Sequence, residues 1–395
     1  MTPAARVQMA IDILDLIIAA ARERGAAADV ILARWFAERR FAGSKDRRAV
    51  RALVYDAIRH SGEIPVSGRA AMLAVARARP ELSACFDGSR YGPAPIAAGE
   101  AVAGQGVAPA WLEAAFEASG LGADERTALL DRAPLDLRVN RLKATPKQIS
   151  GRFEGAERLG FAPNAIRLPE DTSVDRSDAY AAGQFEVQDA GSQLVSALAG
   201  AAPGMTVIDL CAGGGGKTLA LAAAMENHGR ILACDVDRPR LSRLMPRAER
   251  AGVTIAETLL LDPAREAERL ADWREQADLV VVDAPCSGTG TWRRNPEARW
   301  RLTPAQLDRY VDTQAHLLDV AARLVRPGGA LVHIVCSLLD AEGAGQVERF
   351  LAAQAGWSAV PLDSPAGRPR GDGLRLTPLH DTTDGFFVAK LVRQC

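Results

Sequence analysis

The stretch Val207-Ile-Asp-Leu-Cys-Ala-Gly-Gly-Gly-Gly-Lys-Thr218 constrains this chain more than any other. An apolar run passes through four consecutive glycines into a helix-length segment, which reads as strand, tight turn and helix. Such a turn is entropically costly, and its use is close backbone approach to a ligand at a helix N-terminus, where N–H groups are unpaired. Two nucleotide motifs fail on spacing. A Walker A loop would need Gly where Cys211 stands, and a GxGxxG pattern from Gly213 would need Gly in place of Thr218. What remains is Asp209 at the strand end, the glycine turn, and Asp235 at the end of the next apolar run.

That arrangement suits an adenosine-type ligand, with backbone around an amino-acid moiety and a carboxylate on ribose hydroxyls; S-adenosylmethionine fits it. Strand-like runs at 206–210, 230–235, 255–261, 279–283 and 330–336 alternate with helix-length segments, which predicts a parallel α/β sheet covered on both faces. The late run Gly385-Phe-Phe-Val-Ala-Lys-Leu-Val392 adds a strand, giving about seven. A helix opens at Thr303-Pro304 and is expected to stop at Pro327-Gly-Gly.

Upstream, Val7, Ile11, Leu14 and Ile18 recur at helical spacing, and further amphipathic segments follow to about residue 60. The Gly, Pro and Ala-rich stretch 87–106 reads as irregular. Residues 134–187 mix short strand-like runs with a helix opening at Thr145-Pro146, as a small α/β module would. The expected division is 1–130 helical, 131–190 a small module, and 191–395 the α/β domain.

The 395 residues carry a net charge of -1, so a nucleic-acid partner must be argued from local patches. One lies between residues 38 and 59, where Arg39, Arg40, Lys45, Arg47, Arg48, Arg51 and Arg59 face only Glu38, Asp46 and Asp56. A second holds Arg238, Arg240, Arg243, Arg247 and Arg250, which also suits a solvated helix surface. A third interleaves Arg293, Arg294, Arg299 and Arg301 with Trp292 and Trp300, a mixture suited to phosphate contact and base stacking. The six cysteines form no CxxC pair and have no His at metal-ligand spacing, so reduced thiols and no metal are expected. The first apolar stretch is broken by Asp12 and Asp15, making a poor signal peptide and a poor membrane span. A cytoplasmic monomer is the expectation.

Two cysteines stand apart. Cys286, in Asp283-Ala-Pro-Cys-Ser-Gly-Thr-Gly290, and Cys336, in His333-Ile-Val-Cys-Ser337, each follow a strand-like run at the sheet edge where such folds place their chemistry. Cys211 and Cys234 sit in apolar strand context, as structural cysteines do.

These motifs together resemble the RsmB/Sun-type RNA cytosine-5 methyltransferases. The resemblance extends through Leu137-Arg-Val-Asn140, Phe185-Glu-Val-Gln-Asp189, Arg293-Arg-Asn-Pro-Glu297 and Asp384-Gly-Phe-Phe387. Residues 1–130 resemble more weakly a NusB-like helical domain. The resemblance implies a class I, Rossmann-like S-adenosylmethionine-dependent methyltransferase domain. It implies a cofactor site at Asp209, Cys211, Ala212, Gly213, Gly214, Gly215, Gly216 and Lys217, completed by Asp235, Asp262 and Asp283. It further implies Cys336 as nucleophile, Cys286 in product release, and Asp283 at the base edge. RNA contacts are expected from Lys45, Arg47, Arg293, Arg294 and Arg299, with 16S ribosomal RNA as substrate. Two positions depart from the family pattern: its loop Pro is Gly214 here, and the Thr before its nucleophile is Val335. The other readings are a tRNA or other-acceptor methyltransferase, and a non-catalytic RNA-binding assembly factor.

Overall fold

The structure is a computed structural model that describes every residue except Arg24, Arg40 and Asp171. Arg40, counted above in the first basic cluster, therefore lies outside the described residues. The chain divides into two compact units, one of residues 1–131 and 291–304, the other of 132–290 and 305–395.

The first unit is helical. Helices Pro3–Glu23, Ala28–Glu38, Ser44–His60 and Gly68–Ala78 close on a core containing Ile13, Leu14, Leu32, Val54, Ile58 and Met72. The periodicity of Val7, Ile11, Leu14 and Ile18 reflects the buried face of the first of these. Segment 291–304 packs into the same unit. The Arg299 guanidinium donates to the carbonyls of Ile58 at 2.6 Å and Ser61 at 2.9 Å, satisfying acceptors that the end of helix Ser44–His60 leaves open. Trp300 Nε1 donates to the Ser61 carbonyl, and Trp292 meets Phe116 edge to face.

The second unit opens with a four-stranded antiparallel sheet of β1 (Leu135–Val139), β2 (Glu157–Arg158), β3 (Ala165–Leu168) and β4 (Phe185–Val187), in the order β2-β3-β1-β4. This small sheet belongs to the same compact unit as the large one. Asp189, just past β4, caps helix Ala190–Leu198 through the N–H groups of Gly191 and Ser192, and it accepts from Asp384 N. One acidic residue thus ties the Phe185–Asp189 and Asp384–Phe387 motifs together.

The large sheet has nine strands: β5 (Thr206–Asp209), β6 (Arg230–Asp235), β7 (Ala256–Leu260), β8 (Ala277–Asp283), β9 (Val325–Val335), β10 (Trp357–Val360), β11 (Arg368–Arg370), β12 (Gly373–Leu376) and β13 (Phe386–Arg393). Their order is β7-β6-β5-β8-β9-β13-β12-β11, with β10 beside the later part of β13. Strands β5 to β9 are parallel; β13 and its neighbours run antiparallel. The Rossmann-like sheet expected from the sequence is present, with nine strands against the expected seven or so. Residues 357–376 lack a long apolar run, and their strands form at a hairpin edge where pairing to β13 substitutes for two-sided burial. Helix Pro304–Leu324 ends earlier than expected, because Val325 already begins β9 and Pro327-Gly328-Gly329 lie within that strand. Separate apolar clusters, around Val207, Leu221 and Ile334 and around Ile208, Val280 and Leu318, line the two faces of the sheet.

Candidate active site

The connection reverses direction between β5 and β8: the chain runs from β5 outward to β6 and β7, then returns to the other side of β5. In open α/β sheets the crevice outside the carboxyl ends of the strands at such a reversal is the ligand site. The glycine turn follows β5 there, Asp235 ends β6, Asp283 ends β8, and Cys336 follows β9 directly.

Gly215 adopts φ of 85° as the N-cap residue of helix Gly216–Ala224, a left-handed conformation that glycine takes without steric cost. The turn is held from outside by arginines. Arg138 Nη1 donates to the Gly216 carbonyl at 2.8 Å, and Arg247 Nη1 to the Gly214 carbonyl. Arg247 also pairs with Glu186 on β4, which Arg250 grips as well. Burial lowers the Arg138 guanidinium to about 10 against the pull of Glu186. The second basic run therefore has two members engaged in the architecture of the cofactor-type loop. The Gly214 carbonyl is thus fixed by a guanidinium.

The carboxylates divide in their tasks. Asp235 accepts from Gly213 N and Asp237 N, both at 2.7 Å, so it braces the loop. Asp209 is fully buried and accepts from Thr218 Oγ1 at 2.7 Å, while its Oδ1 has no hydrogen-bond partner in the protein. Burial raises its pKa to about 7. Asp283 is 30% exposed and pairs through Oδ2 with Lys217 Nζ at 2.7 Å. Burial of Lys217 works against its charge, but Asp283, with smaller contributions from Cys336 and Asp209, raises its pKa overall. Lys217 is thus held as a cation on the sheet-edge carboxylate, near enough to Cys336 to interact with it electrostatically. Asp262 lies two residues beyond β7, exposed and without a side-chain partner among the described residues.

Cys286 Sγ and Cys336 Sγ lie 3.4 Å apart, each half-buried. The hydrogen bond to Cys336, followed by burial, pushes the Cys286 thiol well above its ordinary pKa. Cys211 is also raised, by burial and then by the neighbouring Asp209, Asp283 and Asp235. Gly290 explains the Ser-Gly-Thr-Gly pattern: its N–H donates to the Cys336 carbonyl and its own carbonyl accepts from Gly385 N at 2.8 Å. A Cβ there would lie 2.1 Å from the Gly385 oxygen.

Beneath both cysteine loops lies a polar cluster that the motifs did not announce. Glu342, fully buried, accepts from Ser287 N at 2.8 Å, from the hydroxyls of Ser287 and Ser337, and from Gln314 Nε2 at 3.1 Å. Gln314 also donates to the Pro285 carbonyl. Only the serine following each cysteine hinted at this in the sequence.

The expected RNA contacts fare differently. Arg299 and Trp292 are 0% exposed and Arg293 and Trp300 are buried, so these four are corrected: they are interior groups of the helical unit, not a surface for phosphate or bases. Their Arg/Trp composition matched a nucleic-acid surface, but the Arg299 guanidinium is consumed by backbone carbonyls. Arg294 and Lys45 are exposed. Arg47 is half-buried, donating to the Ala42 carbonyl with its guanidinium 5.7 Å from the Phe36 ring centroid. Among the described residues no group of His, Cys, Asp and Glu could hold a metal ion, and no helix is long and apolar enough to cross a membrane.

A mixed Rossmann-like sheet with a glycine turn and strand-end carboxylates at its reversal point is the fold of the S-adenosylmethionine-dependent methyltransferases. Within that class, residues 197–392 match the family model described as 16S rRNA methyltransferase RsmB/F, and the chain belongs to that family. It is 35% identical over 299 residues to the probable ribosomal RNA small subunit methyltransferase B of Synechocystis sp., covering 72% of this chain and 66% of that protein. It is 32% identical to ribosomal RNA small subunit methyltransferase B of Sodalis glossinidius, over 81% of this chain and 75% of the relative. The matched region spans 60 to 66% of the length of several such relatives. The crystal structure of PH0851 superposes with a TM-score of 0.76 at 27% identity, covering 99% of both chains.

Proposed function

We propose that the protein transfers a methyl group from S-adenosylmethionine to carbon 5 of a cytosine in 16S ribosomal RNA, through a covalent bond between Cys336 and carbon 6. The observation that carries this reading is the 3.4 Å separation of two thiols at neighbouring strand ends, beside the Lys217–Asp283 pair.

The residues present suit the cofactor. The Asp209 Oδ1 is a buried polar atom without a protein partner, the glycine turn presents main chain at a helix N-terminus, and a carboxylate-lined edge favours a sulfonium charge. Asp209, Asp235, Asp262, Asp283 and residues 211–217 would hold it, and when bound it supplies an electrophilic methyl group.

Carbon 5 of cytosine is a weak nucleophile. Cys336 loses its proton to water, and Lys217 favours the resulting thiolate. The thiolate adds to carbon 6, and the π pair of the 5,6 double bond makes carbon 5 nucleophilic. The Asp283 carboxylate, paired with Lys217, accepts a hydrogen bond from the exocyclic amino group beside N3 and so holds the Watson–Crick edge of the base. Once carbon 5 carries the methyl group, its remaining proton passes to water, and the electron pair it leaves re-forms the 5,6 double bond as the Sγ–carbon 6 bond breaks with its own pair returning to Cys336. The Cys286 thiol, held protonated by its surroundings, hydrogen-bonds that departing sulfur. The base must be unstacked to reach both thiols, which favours a loop or open segment of RNA.

The test is 5-methylcytosine mapping on small-subunit RNA lacking the modification, with wild-type protein and Cys336→Ala. The variant should lose methylation by at least about a thousandfold while binding S-adenosylmethionine as wild type does. Wild-type protein that binds the cofactor and RNA but methylates no cytosine would instead support an RNA-binding factor or another acceptor.

A further inference from the structure

We propose that Glu342 is a positioning residue that fastens the two cysteine loops to one buried point and thereby sets the separation of Cys286 and Cys336. The proposal rests on the reading of these thiols as the reacting pair, but its geometry stands on the tether itself.

Ser287 follows Cys286 and Ser337 follows Cys336, and both hydroxyls turn inward to Glu342. The two hydroxyls also meet each other at 3.1 Å, and Ser337 meets Thr289 Oγ1 at the same distance. Ser287 N adds a backbone donor to the same carboxylate, so the first loop is held by main chain as well as side chain. Gln314, from helix Pro304–Leu324, closes the cluster and reaches the Pro285 carbonyl on the other side of Cys286. Behind Glu342, its own carbonyl accepts from His333 Nε2 on β9, the strand that leads to Cys336. The carboxylate thus has donors from the Cys286 loop, the Cys336 loop and a helix. A charged acceptor that is fully buried and fully engaged fixes geometry more tightly than neutral pairs would. Loop residues positioned only by their strand ends would leave a sulfur pair free to drift by more than the fraction of an ångström that covalent chemistry tolerates.

The experiment reads the thiol separation directly. Diamide oxidises two adjacent thiols to a disulfide, taking up their two electrons and two protons at its azo bond. Peptide mapping separates the Cys286–Cys336 product from any involving Cys85, Cys211, Cys234 or Cys395. Wild-type protein should form this disulfide, and Glu342→Gln should form it at least about fivefold more slowly; equal rates overturn the proposal. Should Glu342→Gln fail to fold, Ser287→Ala removes one arm of the tether and should slow the reaction about threefold, with equal rates again overturning it. On RNA, Glu342→Gln should lose about tenfold in kcat with KM for RNA within about twofold, and adding Cys286→Ala should cost less than the product of the single losses. A fully multiplicative loss contradicts an action through Cys286. If wild type methylates no RNA while the disulfide rates still differ as stated, the functional reading falls and the tether stands.

Discussion

The carboxyl edge of the large sheet and segment 291–304 both carry polar side chains of the kind that bind ligands, yet they use them in opposite ways. At the sheet edge, Cys286, Cys336 and Asp283 stay half-exposed while Glu342 and Lys217 hold them from within. In segment 291–304, Arg299 and Trp300 are themselves the inner supports, filling the carbonyl acceptors at the end of helix Ser44–His60. The same residue chemistry therefore serves function where topology leaves a crevice, and stability where a helix end needs donors.

The largest effect expected on this contrast concerns Asp209. Its carboxyl ionises in the ordinary range when unfolded, but burial raises it to about 7 in the fold. Between those pH values the folded chain keeps a proton that the unfolded chain has lost, so this group's contribution to stability falls as pH rises from about 4 to about 7. Asp209→Asn removes the loss, and its stability relative to wild type should rise by up to about 4 kcal/mol across that window. Denaturant unfolding at successive pH values checks this; parallel profiles would contradict it. Arg299→Ala should destabilise the protein by about 3 kcal/mol through stranded carbonyls and a cavity, seen as a lower denaturant midpoint. A midpoint within error of wild type, with weakened RNA binding, would return Arg299 to the ligand surface.

Smaller effects separate the two regions further. Arg247→Ala frees the Gly214 carbonyl and should weaken S-adenosylmethionine binding about tenfold by calorimetry, while Glu186 keeps Arg250. Unchanged affinity would show that the glycine turn needs no outer brace. Lys45→Ala should leave stability unchanged, lower RNA affinity a few-fold, and reduce the salt slope of binding by about one.

Much of the edge was legible in the sequence because strand, glycine turn and strand-end residues follow one another in a fixed order. The motifs at Asp209, Asp235, Asp283, Cys286 and Cys336 arrive at one sheet edge once the parallel core forms. Burial of Arg299 was not legible, since its partners are main-chain carbonyls more than two hundred residues away and leave no mark on composition. Glu342 was missed for a related reason: a single acidic residue in a loop has no periodicity, and its meaning comes only from Ser287 and Gln314 folding over it. The β10 to β12 edge escaped because its strands are short: β10 alternates half-buried with exposed residues, β11 is largely exposed, and the buried β12 is only four residues long, with Gly373 and Arg375 among them.

The central claim is a covalent bond between Cys336 and RNA that Cys286 helps to break. Cys286→Ala, incubated with unmodified small-subunit RNA and S-adenosylmethionine, should accumulate a denaturant-stable protein–RNA adduct whose digest carries a methylated cytosine on the peptide containing Cys336. Full turnover without any adduct, or an adduct on a different residue, would contradict the account.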